Sequence, residues 1–329
     1  MRNPVAAPGG ARVRVRVRVG VGVGLAAAGW AIAARAAIGH VVAQVRNLPS
    51  PSWLWIATAV VAAGTGYWCS ALALRAATGR RLPLGHTVAV QLAAATANRL
   101  TPGSLGGAAV NARFLATQRL SAGQTGAAIS LTGLAHIAVA AAGLVVVSPT
   151  LSSLPLLRPV TAIRVAGVPV ILAAIPAVAT LCWRATRRAL TRASPDGRLV
   201  TTLRDLRVSL ADAATRPGRL VALLAATAAV KATSLLALLA TTWAFDNDIA
   251  DWRVVVVYLV AGPAAEAIPT PGGLGTVDAV LIAGLTHVSG GGAVGAAVAA
   301  VVVFRLLTFW APILPGAVAS GALHRRYAA

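Results

Sequence analysis

Two acids stand on either side of a Pro-Gly break in the stretch AEAIPTPGGLGTVDAV (265–280): Glu266 before it and Asp278 after it. Basic residues recur in equally apolar surroundings. Arg99 and Arg113 flank a similar break, TPGSLG (101–106), His136 and Arg305 sit within long apolar runs, and Lys231, the sole lysine, lies in the middle of another. Glu266 and Asp278 are the two carboxylates that fall outside predicted loops, which makes Arg305, Arg99 and Arg113 their natural partners. Opposite charges in apolar surroundings support two kinds of chemistry. One is a neutralising ion pair that fastens helices together; the other is a site that holds an anionic headgroup or carries a proton. Both readings stand for each pair. No Gly-x-Ser-x-Gly nucleophile with a histidine partner and no His-Glu metal motif accompanies them, so no catalytic residue, metal or cofactor is expected.

These residues must be positioned by elements that live in a bilayer. The chain has 329 residues, 57% hydrophobic and 11% charged, with a mean hydropathy of +0.77, too apolar for a domain that needs a charged surface in water. Apolar segments of membrane-crossing character run from Val19 to Ala34, Trp53 to Leu74, Leu84 to Ala97, Ala122 to Val147, Val160 to Trp183, Leu220 to Trp243, Trp252 to Ile268, Val277 to Val288 and Val294 to Leu314. The third, seventh and eighth fall short of the ~20 residues a helix needs to span. The expected fold is an all-α polytopic integral membrane protein with about seven to nine membrane segments.

The net charge of +21 is distributed at segment ends. Arg2, Arg12, Arg14, Arg16 and Arg18 precede the first segment, Arg75, Arg80 and Arg81 follow the second, and Arg325 and Arg326 lie in the last residues. The longest hydrophilic loop, 184–219, carries nine arginines against Asp196, Asp205 and Asp212. The positive-inside bias makes all four regions cytoplasmic and places both termini there. The expected organisation is a basic tail (1–18), a membrane domain (19–321) and a second tail (322–329). Anionic lipid headgroups are the expected partners of this charge, and nucleic acid is not, because no aromatic or Gly-rich recognition module goes with it. Within the loop, Leu203, Leu206, Leu210 and Ala213 share one helical face, which reads as an interfacial helix. Cys69 and Cys182 read as packing residues in separate segments.

The two breaks are copies. TPGSLG (101–106) recurs as TPGGLG (270–275) at an offset of 169 residues, and the same offset relates Gly123 to Gly292 and His136 to Arg305. With the basic loops inside, the segment before the first break enters from the cytoplasm and the one before the second from the exterior. The expectation is two inverted repeats, about 84–147 and about 252–316, each with a short re-entrant helix pair broken at Pro102, Gly103 and Gly106 or at Pro271, Gly272, Gly273 and Gly275. Such breaks at matching places in inverted halves point to a transporter's midplane site. The bland alternative is two tight turns at the membrane surface.

IPTPGGLGTVDAVLIAGL followed by AAVVVFRLLTFWAPILPG resembles the second half of the flippase-like membrane region of bacterial lysylphosphatidylglycerol synthases, and NRLTPGSLGGAAVNARFL resembles its first half. The resemblance runs from about Trp53 to Gly321, with the acid at Asp278 and the arginine at Arg305 in register. The first half departs from the family pattern: Ala108 and Asn111 stand where an acid and an arginine are frequent, and Ala135-His136 replaces an acid-arginine pair. The resemblance implies movement of a lipid or lipid-linked intermediate between leaflets of the cell membrane, without a lysyl-transferring domain. The implied site comprises Glu266, Asp278, Arg305, Arg99, Arg113, Lys231 and His136. A non-catalytic scaffold or accessory subunit of a cell-envelope glycosyltransferase or lipid-modifying enzyme is the alternative, with that enzyme as partner.

Overall fold

The computed structural model describes residues 50–101, 105–151, 198–245, 249–266, 275–289 and 294–328. The segments Val19 to Ala34 and Val160 to Trp183 lie outside the described residues, as does Cys182. So do Pro102, Gly103, Pro271, Gly272 and Gly273 of the two breaks. The described chain is all helical. Its elements are α1 (Trp53–Thr78), α2 (Leu84–Leu100), α3 (Leu105–Thr117), α4 (Ala122–Leu151), α5 (Arg198–Thr215), α6 (Pro217–Ala244), α7 (Asp251–Glu266), α8 (Thr276–Val288), α9 (Val294–Arg305), a π-helical turn (Leu306–Trp310) and α10 (Ile313–Ala328).

Four stretches are long and apolar enough to cross a bilayer: Trp53–Thr78, Ala122–Val147, Pro217–Ala244 and Val294–Leu323. Residues exposed along them are large and apolar, among them Val61, Trp68, Val146, Val221, Leu314 and Val318. That pattern suits a lipid-facing surface, where no water penalises exposed hydrocarbon. The segments expected to be short are short: α2, α7 and α8 have 17, 16 and 13 residues. At ~1.5 Å per residue they reach roughly 20 to 26 Å, less than the ~30 Å hydrocarbon core.

α1 and α6 form an antiparallel spine held at both ends. At one end the Ser52 amide donates to the Ala244 carbonyl at 2.9 Å. At the other, Arg219 donates from Nε to the Ala76 carbonyl (2.9 Å) and from Nη2 to that of Ala77 (2.5 Å). Its Nη1 meets Asp212 Oδ2 at 2.9 Å. A cation on the last carbonyls of α1 satisfies acceptors that have no partner within the helix and complements its dipole. Between these ends the contact is made of small residues, with Ala59, Ala62, Ala71, Ala237 and Ala240 nearly inaccessible. Small side chains let two backbones approach where the hydrophobic effect supplies no attraction between helices.

The spine serves a different core at each end. Around Leu74 and Leu223 it packs against α2, α3, α4 and α10 through Val90, Phe114 and Leu115. Around Ala62 and Leu238 it packs against α7, α8 and α9 through Val254, Leu281, Leu285 and Phe304. α5 lies on the first turns of α4: a Cβ on Gly123 would stand 2.3 Å from the Thr202 carbonyl oxygen, and Leu206 reaches Gly126. Leu206, on the face expected to lie on lipid, therefore meets protein there.

Val294 to Leu314, expected to be one segment, lies within the single candidate span Val294–Leu323, whose helix widens midway. Pro312 and Pro315 have no amide hydrogen, so carbonyls one turn before them lose their helical donor. The helix widens into the π turn at Leu306, where the Ala311 amide bonds the Leu306 carbonyl at 2.7 Å, and resumes at Ile313.

Candidate functional site

Arg305 is the last residue of α9, at the point where the helix widens. Its Nε lies 2.5 Å from Asp278 Oδ1 and its Nη2 3.4 Å from Asp278 Oδ2. The pair is largely withdrawn from the surface, the side chains being 13% and 30% exposed. Asp278 also works within its own helix. Oδ2 accepts the Gly275 amide at 3.0 Å, so the carboxylate caps the α8 N-terminus while it binds α9. Gly275 holds φ at +83°, a conformation that disfavours any residue with a Cβ.

Arg99 approaches the same place from α2. Its Nη2 donates to the Thr308 carbonyl at 2.8 Å and lies 3.4 Å from the Tyr67 hydroxyl. Thr308 is four residues before Pro312, so Arg99 supplies the hydrogen bond that the proline cannot. Both guanidiniums stand over one ring: Arg99 Cζ is 5.1 Å and Arg305 Cζ 4.6 Å from the centroid of Phe309, which is buried. Nη1 of Arg99 is buried with no hydrogen-bond partner among the described residues.

A cavity of about 480 Å³ opens beside Arg305. Val139, Gly143 and Val146 of α4 line it, with Lys231 and Ser234 of α6, Tyr258 and Gly262 of α7, Val277 of α8, and Phe304, Arg305 and Thr308. Two cations therefore face one space. Among the described side chains no carboxylate lies within ion-pair distance of Lys231, and the wall is otherwise mostly apolar. A few polar groups in an apolar cavity of this size form the usual composition of a small-molecule site.

The model of the family described as the lysylphosphatidylglycerol synthase TM region matches residues 17–316. The chain belongs to this family. It is accordingly a membrane protein, in keeping with its apolar helices. No curated protein matches the chain significantly.

The remaining site residues of this family member are distributed unevenly. His136 is half-buried on α4 and does not line the cavity. Arg113 is exposed on α3 and away from the cavity wall. Glu266 is the last residue of α7, and its side chain lies outside the described part. Of the break glycines, Gly106 stands where a Cβ would meet the Ala97 carbonyl oxygen at 2.6 Å.

The amides after the breaks already have acceptors. The Gly106 amide donates to Thr101 Oγ1 at 2.8 Å and the Gly107 amide to Asn98 Oδ1 at 2.5 Å, as Gly275 donates to Asp278. Sequence reasoning also missed Phe309, Tyr67 and Asn98. A signal existed for Arg99: prolines inside an apolar span free carbonyls, and the nearest unpaired arginine is the donor to look for.

Proposed function

We propose that this protein moves a phospholipid or lipid-linked intermediate between membrane leaflets, with the headgroup held at the cavity beside Arg305. The observation that carries this reading is the convergence of Arg305 and Lys231, from α9 and α6, on one mostly apolar space inside a membrane protein. The family membership supports it. The reading takes the two Pro-Gly units as inverted repeats within about seven to nine membrane segments, and alternating access as their relative rocking. Tryptophans Trp53, Trp55, Trp243 and Trp252 gather at one end of the α1–α6 spine. Arg75, Arg80, Arg216 and Arg219 gather at the other. This distribution supports a cell-membrane orientation with the basic end, and both termini, cytoplasmic.

The test is headgroup translocation in reconstituted vesicles. Arg305→Ala abolishes it while the protein remains monodisperse and helical; wild-type movement in the Asp278→Ala/Arg305→Ala double variant removes this site. A reproducibly co-purifying envelope enzyme, with no lipid movement by the purified wild-type chain, replaces the translocase by the scaffold reading.

A further inference from the structure

We infer that the basic end of the α1–α6 spine carries a second binding site, apart from the cavity beside Arg305, which holds the phosphate of an anionic lipid from the adjoining leaflet. The inference does not depend on lipid movement. Three observations lead to it.

The first is a built pocket. About 300 Å³ lies where the end of α1 and the turn after it meet the start of α4, the α5 face with Val208, Ser209 and Asp212, and Arg219 of α6. Its floor is fixed. Gly79 closes α1 with φ at +65°, and a Cβ there would stand 3.0 Å from the Arg219 guanidinium carbon, so glycine serves both the turn and the close approach. Arg219 is engaged by the Ala76 and Ala77 carbonyls and by Asp212. Arg80, the Ser209 hydroxyl and the Gln124 side-chain nitrogen remain on the wall as donors for a ligand. Gln124 is preset for that task. Its Oε1 accepts the Ser121 amide while its own amide donates to Ser121 Oγ, which commits the side-chain oxygen and leaves the nitrogen to donate outward.

The second is charge. Among the described acids Asp212 alone lines the pocket, and Arg216 Nη2 and Arg219 Nη1 each hold one of its oxygens at 2.9 Å. None of the described acids pairs with Arg80. Asp205 stands against Gly123 of α4 instead. The remaining acidic side chains are out of reach. Asp196 precedes α5 by two residues, ~7 Å of extended chain, whereas Val208 lies ~15 Å along that helix from Arg198. Asp246, Asp248 and Asp251 follow the opposite end of α6, and Glu266 and Asp278 belong to α7 and α8, which pack on the other half of the spine. The residues before Ser50 include five arginines ahead of Val19 and no acid at all. The donors therefore await an anion from outside the chain, and a phosphate accepts from a guanidinium and from neutral donors together.

The third is the neighbouring surface. Val208 lines the pocket and is 60% exposed, and Leu72, seven residues before Gly79 on the same face of α1, is 45% exposed. α1 is long and apolar enough to cross a bilayer, so an apolar surface leads from the pocket toward hydrocarbon. A lipid whose phosphate sits at Arg80 can lay its acyl chains along that surface, which a soluble phosphate cannot.

The experiment uses the full chain in non-ionic detergent with Val208→Cys as reporter, its reaction with a hydrophilic maleimide followed on the peptide by mass spectrometry. Dihexanoyl-phosphatidylglycerol, dihexanoyl-phosphatidylcholine and inorganic phosphate are titrated separately. Phosphatidylglycerol at saturation is expected to slow labelling about tenfold, and the other two less than about twofold. Protection is lost in Arg80→Ala, kept in Arg80→Lys and unchanged in Arg305→Ala. Equal protection by phosphatidylcholine, full protection by inorganic phosphate, no protection at all, or protection that survives in a helical, monodisperse Arg80→Ala protein overturns the inference. So does protection that disappears in Arg305→Ala, because the lipid then acts from the cavity. Lipid movement in vesicles is read separately: its absence sinks the translocase reading and leaves this site standing.

Discussion

The two Pro-Gly regions share a sequence and solve its backbone problem with different chemistry. After the first break, neutral side chains of the preceding segment hold the incoming helix: Thr101 and Asn98 accept the Gly106 and Gly107 amides, and Gln91 Nε2 reaches Asn111 Oδ1 across α2 and α3 at 3.0 Å. After the second break, one carboxylate does both tasks. Asp278 takes the Gly275 amide and also fastens α8 to α9 through Arg305. The position 169 residues before Asp278 is Ala109, and the position 169 before Arg305 is His136. The amides after the first break are thus closed by neutral side chains, its Arg99 serving the Thr308 carbonyl instead, while at the second break a carboxylate closes the amide and binds a guanidinium at the edge of a cavity. Similar motifs diverge in this way because a freed backbone group in the membrane needs a partner but is indifferent to which residue supplies it.

The sharpest way to break this comparison is to remove the charged solution. Asp278→Ala removes the carboxylate that binds Arg305 and uncaps α8, and is expected to cost roughly 2 to 3 kcal/mol, less than the ~3 to 5 of a fully buried pair because Asp278 is partly exposed. Thermal denaturation in detergent measures it, and the Asp278→Ala/Arg305→Ala double variant should be more stable than the sum of the single losses. Strict additivity would mean the pair is not coupled.

Arg99 links the regions, and its loss comes next. Arg99→Ala leaves the Thr308 carbonyl without a donor, at about 1.5 to 3 kcal/mol. Pro312→Ala restores an amide within reach of that carbonyl, so Arg99→Ala should be less harmful in a Pro312→Ala background. An undiminished loss there would show that Arg99 matters through Phe309 or Tyr67 instead.

Smaller effects are expected at the neutral solution. Asn98→Ala removes one cap acceptor and should lower stability by about 1 kcal/mol. Gln91→Ala should cost about 0.5 to 1.5 kcal/mol, and neither change should alter lipid movement in vesicles. A loss of movement in a stable Asn98→Ala protein would overturn the division into a neutral scaffold and a charged site.

Much of the helical plan was legible along the chain. The boundaries of α2, α7 and α8 follow apolar runs that end in Pro, Gly or charge, so the short helices could be read without neighbours. The widening of the last long span was less legible, because a proline announces a disturbed helix but not whether it kinks, widens or breaks. The ion partners were only narrowed: Asp278 had three candidate arginines, and the choice of Arg305 depends on α8 lying against α9. Arg99 was read as a candidate for a carboxylate or ligand, yet it serves a carbonyl 209 residues away.

By itself, then, the sequence determined that this is a helical membrane protein with charge held at two Pro-Gly units, because hydropathy, segment length and arginine placement act locally and need no partner. Tertiary structure alone decided that Arg305 pairs with Asp278, that Arg99 caps Thr308, and that Lys231 faces the cavity beside Arg305. Those choices follow from how α2, α6, α7, α8 and α9 and the π turn pack. A buried charge settles on whichever opposite charge or freed carbonyl the packing brings within hydrogen-bond reach, and no spacing along the chain encodes that distance.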